Sequence, residues 1–142
     1  MDEAQRTAEQ TVYPAIRYLD AHAALAWLER AFGFVPHVVY DDPDGSVAHA
    51  QLVVAGNLVM IGSSREGVYP VRSPGEVGGV TGGIYVALPD AAAVDALHAR
   101  AHAAGARVIE PPHDTDYGSH DFSARDLEGH PWSFGTYRPQ AG

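Results

Sequence analysis

The sequence predicts an α+β domain in which two βαβββ repeats form a curved mixed sheet around a cleft. Three observations support this prediction. A short apolar segment, an amphipathic helix and three further strand-like segments occur in this order twice along the chain. Glycines of the two halves recur at a nearly constant spacing, and an irregular segment rich in glycine and proline, residues 64–82, separates the halves.

The first repeat covers residues 12–63. Asp20 is a suitable N-cap, the residues after it carry apolar side chains at helical spacing, and Gly33 is placed to end the helix. A dense turn signal from Asp41 to Gly45 separates two of the strands that follow. The predicted elements are a strand at 12–19, a helix at 21–32, and strands at 34–40, 46–54 and 58–62.

The second repeat covers residues 83–138 and shows the same order. Asp90 opens an alanine-rich helix that Gly105 ends. Pro111 and Pro112 are expected to break the strand after this helix, because proline cannot donate to a ladder. The predicted elements are a strand at 84–88, a helix at 91–104, and strands at 107–110, 119–125 and 132–137.

The glycines of the two repeats correspond in position. Glycine marks places where the backbone needs positive φ or a close approach, so a shared glycine spacing indicates a shared backbone. The corresponding pairs, at an offset of 73 and in the last case 72, are Gly45–Gly118, Gly56–Gly129, Gly62–Gly135 and Gly33–Gly105. We therefore predict a single domain over residues 12–138, with a flexible arm at 1–11 and a tail at 139–142.

Composition excludes several classes of function. The net charge is −9, and all nine basic residues are arginines without a basic cluster, so binding to nucleic acid or to an anionic membrane surface is not expected. The absence of cysteine excludes disulfides, thiolate metal sites and a cysteine nucleophile, and it fits a cytoplasmic location. No stretch approaches the ~18 apolar residues of a membrane span, and the N-terminus lacks the hydrophobic run of a signal peptide.

The phase of the strands predicts which side chains face the cleft. Ile84, Val86 and Leu88 alternate as the apolar set under the helix, so the residues between them face inward. Tyrosine rings and arginine offer stacking and charged contacts to a ligand, although the same side chains could simply fill the floor of the cleft. The predicted ligand-binding residues are Tyr13, Arg17, Gln51, Met60, Tyr85, Ser133 and Tyr137.

Histidine supplies the candidate for catalysis. His49 shares a strand face with Gln51, and it either lies in the cleft wall as a general base or sits on an exposed outer edge. His120 and Asp121 are adjacent in a strand and point to opposite faces, so they are not expected to form a dyad. The sequence therefore predicts His49 as the catalytic residue, if there is one.

Several motifs carry a resemblance to a known family. The sequence resembles the vicinal oxygen chelate superfamily, the glyoxalase/bleomycin-resistance type, which includes glyoxalase I, extradiol dioxygenases, fosfomycin-resistance enzymes and bleomycin-binding proteins. The resemblance implies the paired βαβββ fold and a homodimer that completes its clefts across the interface. The motifs are the segments 13–20, 27–34, 117–119, 125–130 and 132–135.

The resemblance also implies positions for metal ligands, one on the first and one on the last strand of each half. Carried over by position, these are Tyr13, Met60, Gly83 (or Ile84, if that strand is shifted by one) and Ser133. Metal-using members place His or Glu there, and none of the residues here is a good ligand for a hard or borderline divalent ion. No metal and no other cofactor is therefore predicted.

These features lead to three hypotheses for function. The first is a metal-independent small-molecule binding protein of the bleomycin-resistance kind that sequesters an aromatic or cationic compound in the cleft. The alternative is an enzyme, a lyase, isomerase or dioxygenase-like member, with a non-standard metal site or with His49 as general base. The third is a stand-alone domain with a metabolic or regulatory role and no catalysis.

Overall fold

The computed structural model describes residues 9–141. Within them the order of elements confirms the repeated βαβββ pattern, with one short additional helix in the connecting segment. The elements are β1 (Ala15–Tyr18), α1 (Ala21–Phe32), β2 (Val35–Asp41), β3 (Val47–Val54), β4 (Asn57–Ser63), α2 (Pro74–Val77), β5 (Ile84–Ala87), α3 (Ala91–Ala103), β6 (Arg107–Asp114), β7 (His120–Arg125) and β8 (Pro131–Gly135).

Each repeat forms a four-stranded mixed sheet. Sheet 1 has the strand order β1-β4-β3-β2, and sheet 2 has the corresponding order β5-β8-β7-β6. In each sheet the first strand of the repeat pairs in parallel with the last one, and the other pairs are antiparallel. The predicted α+β class and the predicted mixed sheets are confirmed.

The boundaries of the two long helices follow from their caps. The Ala23 amide donates to the Asp20 side chain at the start of α1, and Gly33 ends the helix with a left-handed φ of 73°. The same type of cap, Ala93 to Asp90 at 2.8 Å, starts α3. The predicted helix at 21–32 is confirmed, and α3 ends one residue earlier than predicted.

The helix-facing sides of the two sheets share one hydrophobic core. Phe34 leads into β2 at the outer edge of sheet 1, yet its ring lies 5.1 Å from that of Trp132 in β8. Four strands would separate β2 from β8 if the sheets were joined edge to edge, a distance of roughly 20 Å or more. The sheets therefore face each other through their helix sides, with α1 and α3 between them. Trp27 is part of this core and donates to the Ala104 carbonyl at 3.0 Å.

The turn between β7 and β8, residues 126–130, ties the two halves together. The buried Asp126 carboxylate accepts from the Tyr18 hydroxyl at 2.5 Å and from Trp132 Nε1 at 3.0 Å. Its other oxygen accepts from the backbone amides of Glu128 and His130 at 3.1 and 3.0 Å. Burial and the nearby Asp126 charge raise the pKa of Tyr18 well above its usual range, so this hydroxyl stays protonated as a donor.

Neighbours in the same turn bind the junction between β1 and α1. The Glu128 carboxylate accepts from the amides of Leu19 and Asp20 at 2.6 and 2.8 Å, and from the Ser73 hydroxyl at 2.8 Å. His130 lies in the same turn, and its Nε2–H donates to the Arg17 carbonyl at 2.8 Å. These contacts fix the start of the first repeat on the end of the second.

Two local predictions were wrong. The segment 64–82 contains α2, which starts with a capping box in which the Ser73 amide donates to Glu76 at 3.0 Å. Strand β6 continues through Pro111 and Pro112 to residue 114 instead of ending there. It tolerates them because it is an edge strand and its pairing with β7 is irregular at that point.

Most of the predicted N-terminal arm lies outside the described residues. Within residues 9–141, Gln10 is bound to strand β4, because its side chain donates to the Leu58 carbonyl at 2.8 Å and accepts from the Leu58 amide at 2.6 Å. In the same part of the chain, no helix has the length and apolar character needed to cross a bilayer.

Candidate functional site

The face of each sheet that points away from the shared core is called its open face. On sheet 1, β1 pairs Ala15 with Met60 and Arg17 with Gly62, and β3 pairs Gln51 with Met60. Strand register therefore places Arg17, Gln51 and Met60 on one surface. The helix-facing set opposite them includes Ile61, which is buried. Ile16, its partner in the register, also packs against the core on the helix side.

His49 lies on the same open face. Its Nε2 is 3.2 Å from Gln51 Nε2, and its ring stacks on that of Tyr40 at 6.4 Å between centroids. Because an amide nitrogen donates, Nε2 of His49 is the acceptor in this contact. The lone pair that a general base would use is thus occupied, and a catalytic role for His49 stays a prediction.

Arg17 is held beneath the connecting segment. Its guanidinium lies 5.4 Å from the centroid of the Tyr69 ring, and its Nη1 is buried without a hydrogen-bond partner among the described residues. A buried donor without a partner is costly, so this nitrogen is a place where an acceptor would stabilise the protein.

The open face of sheet 2 carries the other predicted ligand residues. Ser133 pairs with both Tyr85 and Ser123, and Gly135 pairs with Asp121. Tyr137 lies two residues after the end of β8, and its carbonyl accepts from the Tyr85 hydroxyl at 2.6 Å. Tyr85, Ser133 and Tyr137 are thus brought together, but the shared core separates them from Arg17, Gln51 and Met60 in the same chain.

A cluster of three tyrosines surrounds Asp121 on this face. The Tyr117 hydroxyl donates to the carboxylate at 3.4 Å, and the Ser119 hydroxyl donates to its other oxygen. The rings of Tyr117 and Tyr137 meet edge to face at 5.6 Å. We call Tyr85, Tyr117, Tyr137 and Asp121 the tyrosine–aspartate cluster.

The cluster depends on a glycine in β8, Gly135, which leaves space where a side chain would lie. A Cβ at Gly135 would overlap the Asp121 carboxylate and would come within 2.8 Å of the Tyr85 hydroxyl. These two polar groups therefore occupy the space above the glycine. Partial burial, and to a smaller extent the Asp121 charge, raise the pKa of Tyr85, which keeps its hydroxyl protonated.

Sequence reasoning missed Asp121 and Tyr117 as site residues. The alternation from Ser119 to Ser123 indicates that Asp121 shares the face of Tyr85, and this signal was available in the sequence. Tyr117 lies in a turn, where no strand alternation indicates which way its side chain points. The expectation that His120 and Asp121 form no dyad is confirmed, because His120 instead contacts Asp95 and Asp114, each at 2.7 Å.

Two cavities lie along β1 and β5. One, of about 550 Å³, is enclosed by the starts of β1, β5 and β8 and by residues 70–82. The other, of about 580 Å³, lies between the start of β4 and β5. Of the seven predicted ligand residues only Tyr85 lines either of them, and Tyr13 stands outside both, with its hydroxyl donating to the Gln10 carbonyl at 2.9 Å.

The positions that the family uses for a metal do not fit one here. They carry a phenol already bonded to a backbone carbonyl, a thioether, a glycine and a hydroxyl, at Tyr13, Met60, Gly83 and Ser133. Nowhere in residues 9–141 do three or more His, Asp or Glu side chains come together as a possible metal site. No step through a metal is derived for this chain.

Comparisons with known proteins agree with the repeated βαβββ fold. An uncharacterised protein of Mycobacterium bovis is 31% identical over 129 residues, which cover 89% of this chain and 83% of that protein. The crystal structure of TioX from Micromonospora sp. ML1 is 30% identical, with a TM-score of 0.69, covering 94% of this chain and all of the other. A genomically encoded fosfomycin resistance protein from Listeria monocytogenes shares the fold, at 15% identity and a TM-score of 0.63 over 92% of this chain and 93% of the other.

The family profile gives the assignment. The profile described as glyoxalase/bleomycin resistance protein/dioxygenase superfamily matches residues 10–134, which cover the first repeat and most of the second. The predicted resemblance is confirmed: this chain is a member of the glyoxalase/bleomycin resistance protein/dioxygenase superfamily.

Proposed function

We propose that this protein is a metal-independent small-molecule binding protein that acts as a homodimer and sequesters an aromatic or cationic compound between the open faces of two copies. The separation of the candidate residues carries this proposal. One chain presents them on two surfaces that both point away from a common core. A cleft lined by both groups therefore needs a second copy, whose sheet 2 covers sheet 1 of the first.

The chemistry of the two faces is complementary. The open face of sheet 1 carries the Arg17 guanidinium, and the open face of sheet 2 carries the Asp121 carboxylate. Large side chains that pairing would cover are exposed on these faces, namely Tyr40, Tyr85 and Tyr137.

The family supports binding as a possible role without deciding it. Its description includes bleomycin resistance, and the Listeria neighbour is described as a fosfomycin resistance protein. In this chain the donor set at the metal positions does not fit a metal, whereas aromatic and charged side chains line the open faces. Sequestration of a compound requires the aromatic and charged lining, and it does not require a bound metal.

The first experiment measures mass and binding together. We expect light scattering to give the mass of a dimer, and a thermal-shift panel of aromatic and cationic compounds to contain at least one stabilising ligand. A ligand at 100 times its Kd contributes about 2.7 kcal/mol. Met60→Arg, which puts a charge in the centre of the sheet 1 face, should give a monomer that no longer binds, and Ala99→Arg on the exposed side of α3 should change neither property.

Two outcomes would contradict the proposal. A monomeric wild-type protein that binds its compound with full affinity would show that the cleft does not need a second copy. A panel without any stabilising compound would remove the binding function itself.

The alternative is an enzyme that uses His49. The half-buried position of His49 on the open face, next to Gln51, favours it. In that case a panel compound would be turned over as well as bound, and His49→Gln would abolish turnover while leaving the affinity unchanged. Equal product formation by wild type and His49→Gln would remove His49 as the base.

A further inference from the structure

We propose that the tyrosine–aspartate cluster binds an organic cation, a quaternary or protonated amine, whose charge lies beside the Asp121 carboxylate. The proposal deepens the binding function proposed above and rests on it, because it names the charged group of the sequestered compound and the place where that group sits. It is carried by three observations on the open face of sheet 2.

The first observation is a carboxylate with an uncompensated charge. No salt bridge within 4.0 Å joins Asp121 to a basic side chain in residues 9–141. Its cross-strand neighbour His113 is engaged elsewhere, with Glu110 at 3.2 Å and the Pro111 carbonyl at 2.9 Å. The partners of Asp121 are neutral hydroxyls, which hold it in place without cancelling its charge. In a chain of net charge −9, such a carboxylate attracts a cation.

The second observation is the arrangement of the rings. The rings of Tyr117 and Tyr137 stand at 79° to each other, so they form two walls of a corner. The Tyr85 hydroxyl lies next to the Asp121 carboxylate above Gly135, and it donates to the Tyr137 carbonyl. All three side chains are exposed, between 39% and 62%, so a ligand can reach this cluster from solvent. Aromatic faces around one point bind quaternary ammonium groups through cation–π attraction, worth about 0.5–1 kcal/mol per ring at exposed sites.

The third observation is that the carboxylate is held at the floor of this corner. The Tyr137 amide donates to the Ser119 hydroxyl at 3.0 Å, and Ser119 in turn donates to Asp121. Gly135 leaves room for the carboxylate directly above the backbone of β8. Charge and rings are therefore organised before a ligand arrives, which lowers the cost of binding.

The cation preference can be tested with a matched pair of probes. Choline and its uncharged carbon isostere dimethylbutanol have the same shape and differ in charge. We expect choline to shift the backbone amide signals of Gly135 and Asp121 saturably in NMR titrations of the full chain, and the alcohol to bind at least about tenfold more weakly, or about 1.4 kcal/mol. Equal binding of the two probes would overturn the proposal.

Two variants then locate the charge. Asp121→Asn keeps the shape of the cluster and should weaken choline binding about tenfold, or about 1.4 kcal/mol. Asp116→Asn removes the same charge from the turn that precedes β7, outside the cluster, and should leave the affinity within about twofold. If Asp121→Asn does not fold, Tyr117→Leu at an exposed turn position should still weaken choline and spare the alcohol. Equal effects of Asp121→Asn and Asp116→Asn would contradict the site.

Failure of this inference can be told apart from failure of the proposed function. If neutral aromatic compounds stabilise the dimer while choline and the alcohol bind equally, sequestration stands and the cation site is wrong. If no compound of any class binds, the proposed function and the cation site are both wrong.

Discussion

Replacing Asp126 with alanine tests how the two halves are held together. The side chain is 2% exposed and accepts four hydrogen bonds, from the Tyr18 hydroxyl, Trp132 Nε1 and two turn amides. Water can reach the turn amides after the substitution, but the tyrosine and tryptophan donors stay buried. Each buried donor without a partner costs about 1–3 kcal/mol, so we expect a total of about 4 kcal/mol.

This loss in the free energy of unfolding predicts a large decrease in the thermal midpoint. A chain of this length unfolds with an entropy of about 0.3 kcal/mol/K, so a loss of about 4 kcal/mol lowers the midpoint by about 13 °C. Circular dichroism at 222 nm during heating, together with urea unfolding, would measure it. Tyr18→Phe removes one donor and leaves the carboxylate with three, so it should cost only about 1 kcal/mol.

The control is an aspartate in an equivalent role at the surface. Asp44 accepts from the amide and hydroxyl of Ser46 in an exposed turn, at 3.0 and 2.6 Å. Asp44→Ala should therefore leave the midpoint almost unchanged. If Asp126→Ala lowered the midpoint no further than Asp44→Ala, the buried network would not be what joins the halves.

Two further predictions concern pH and the glycine of β8. His120 lies between Asp95 and Asp114, and its hydrogen bonds to these two carboxylates raise its pKa. The charged imidazolium therefore stabilises the folded protein. This stabilisation is fully present below pH ~6.5 and is lost as the pH rises through the raised pKa of the folded state. The difference in urea midpoint between wild type and His120→Gln should accordingly be larger at pH 5.5 than at pH 8.5, and a difference that grows with pH would reverse the reasoning. Gly135→Ala places a Cβ where the Asp121 carboxylate lies, and since a flexible side chain can give way, the thermal midpoint should change by only a few degrees while choline binding is lost. Unchanged choline affinity in Gly135→Ala would show that the carboxylate position does not matter.

The fold could be predicted because each repeat carries local signals for it. Asp20 and Gly33 set both ends of α1, and strand alternation places Ile84 and Val86 under the helix side of sheet 2. The strand that runs through Pro111 and Pro112 could not be predicted, because the sequence does not show that β6 lies at an edge. The helix α2 has four residues, too few for periodicity to indicate it.

The candidate site was predicted only in its parts. Alternation assigned Arg17, Met60 and Tyr85 to the open faces, and the strand registers agree. How the two sheets are placed relative to each other depends on contacts such as Phe34 with Trp132, nearly a hundred residues apart, and no local pattern encodes it. For this reason the sequence suggested one cleft per chain, whereas the structure presents two separate faces.

The hydrogen bond between Tyr18 and Asp126 also affects the order in which the chain folds. The two residues are 108 positions apart, and Leu19 and Asp20 similarly depend on Glu128. During synthesis the first repeat is made before residues 126–132, so it emerges without these partners. Contacts of such long sequence separation form late and slowly, so we expect the first repeat to close only after the ribosome has released residues 126–132. Its apolar helix side is exposed during that interval, which is when a chaperone would encounter it.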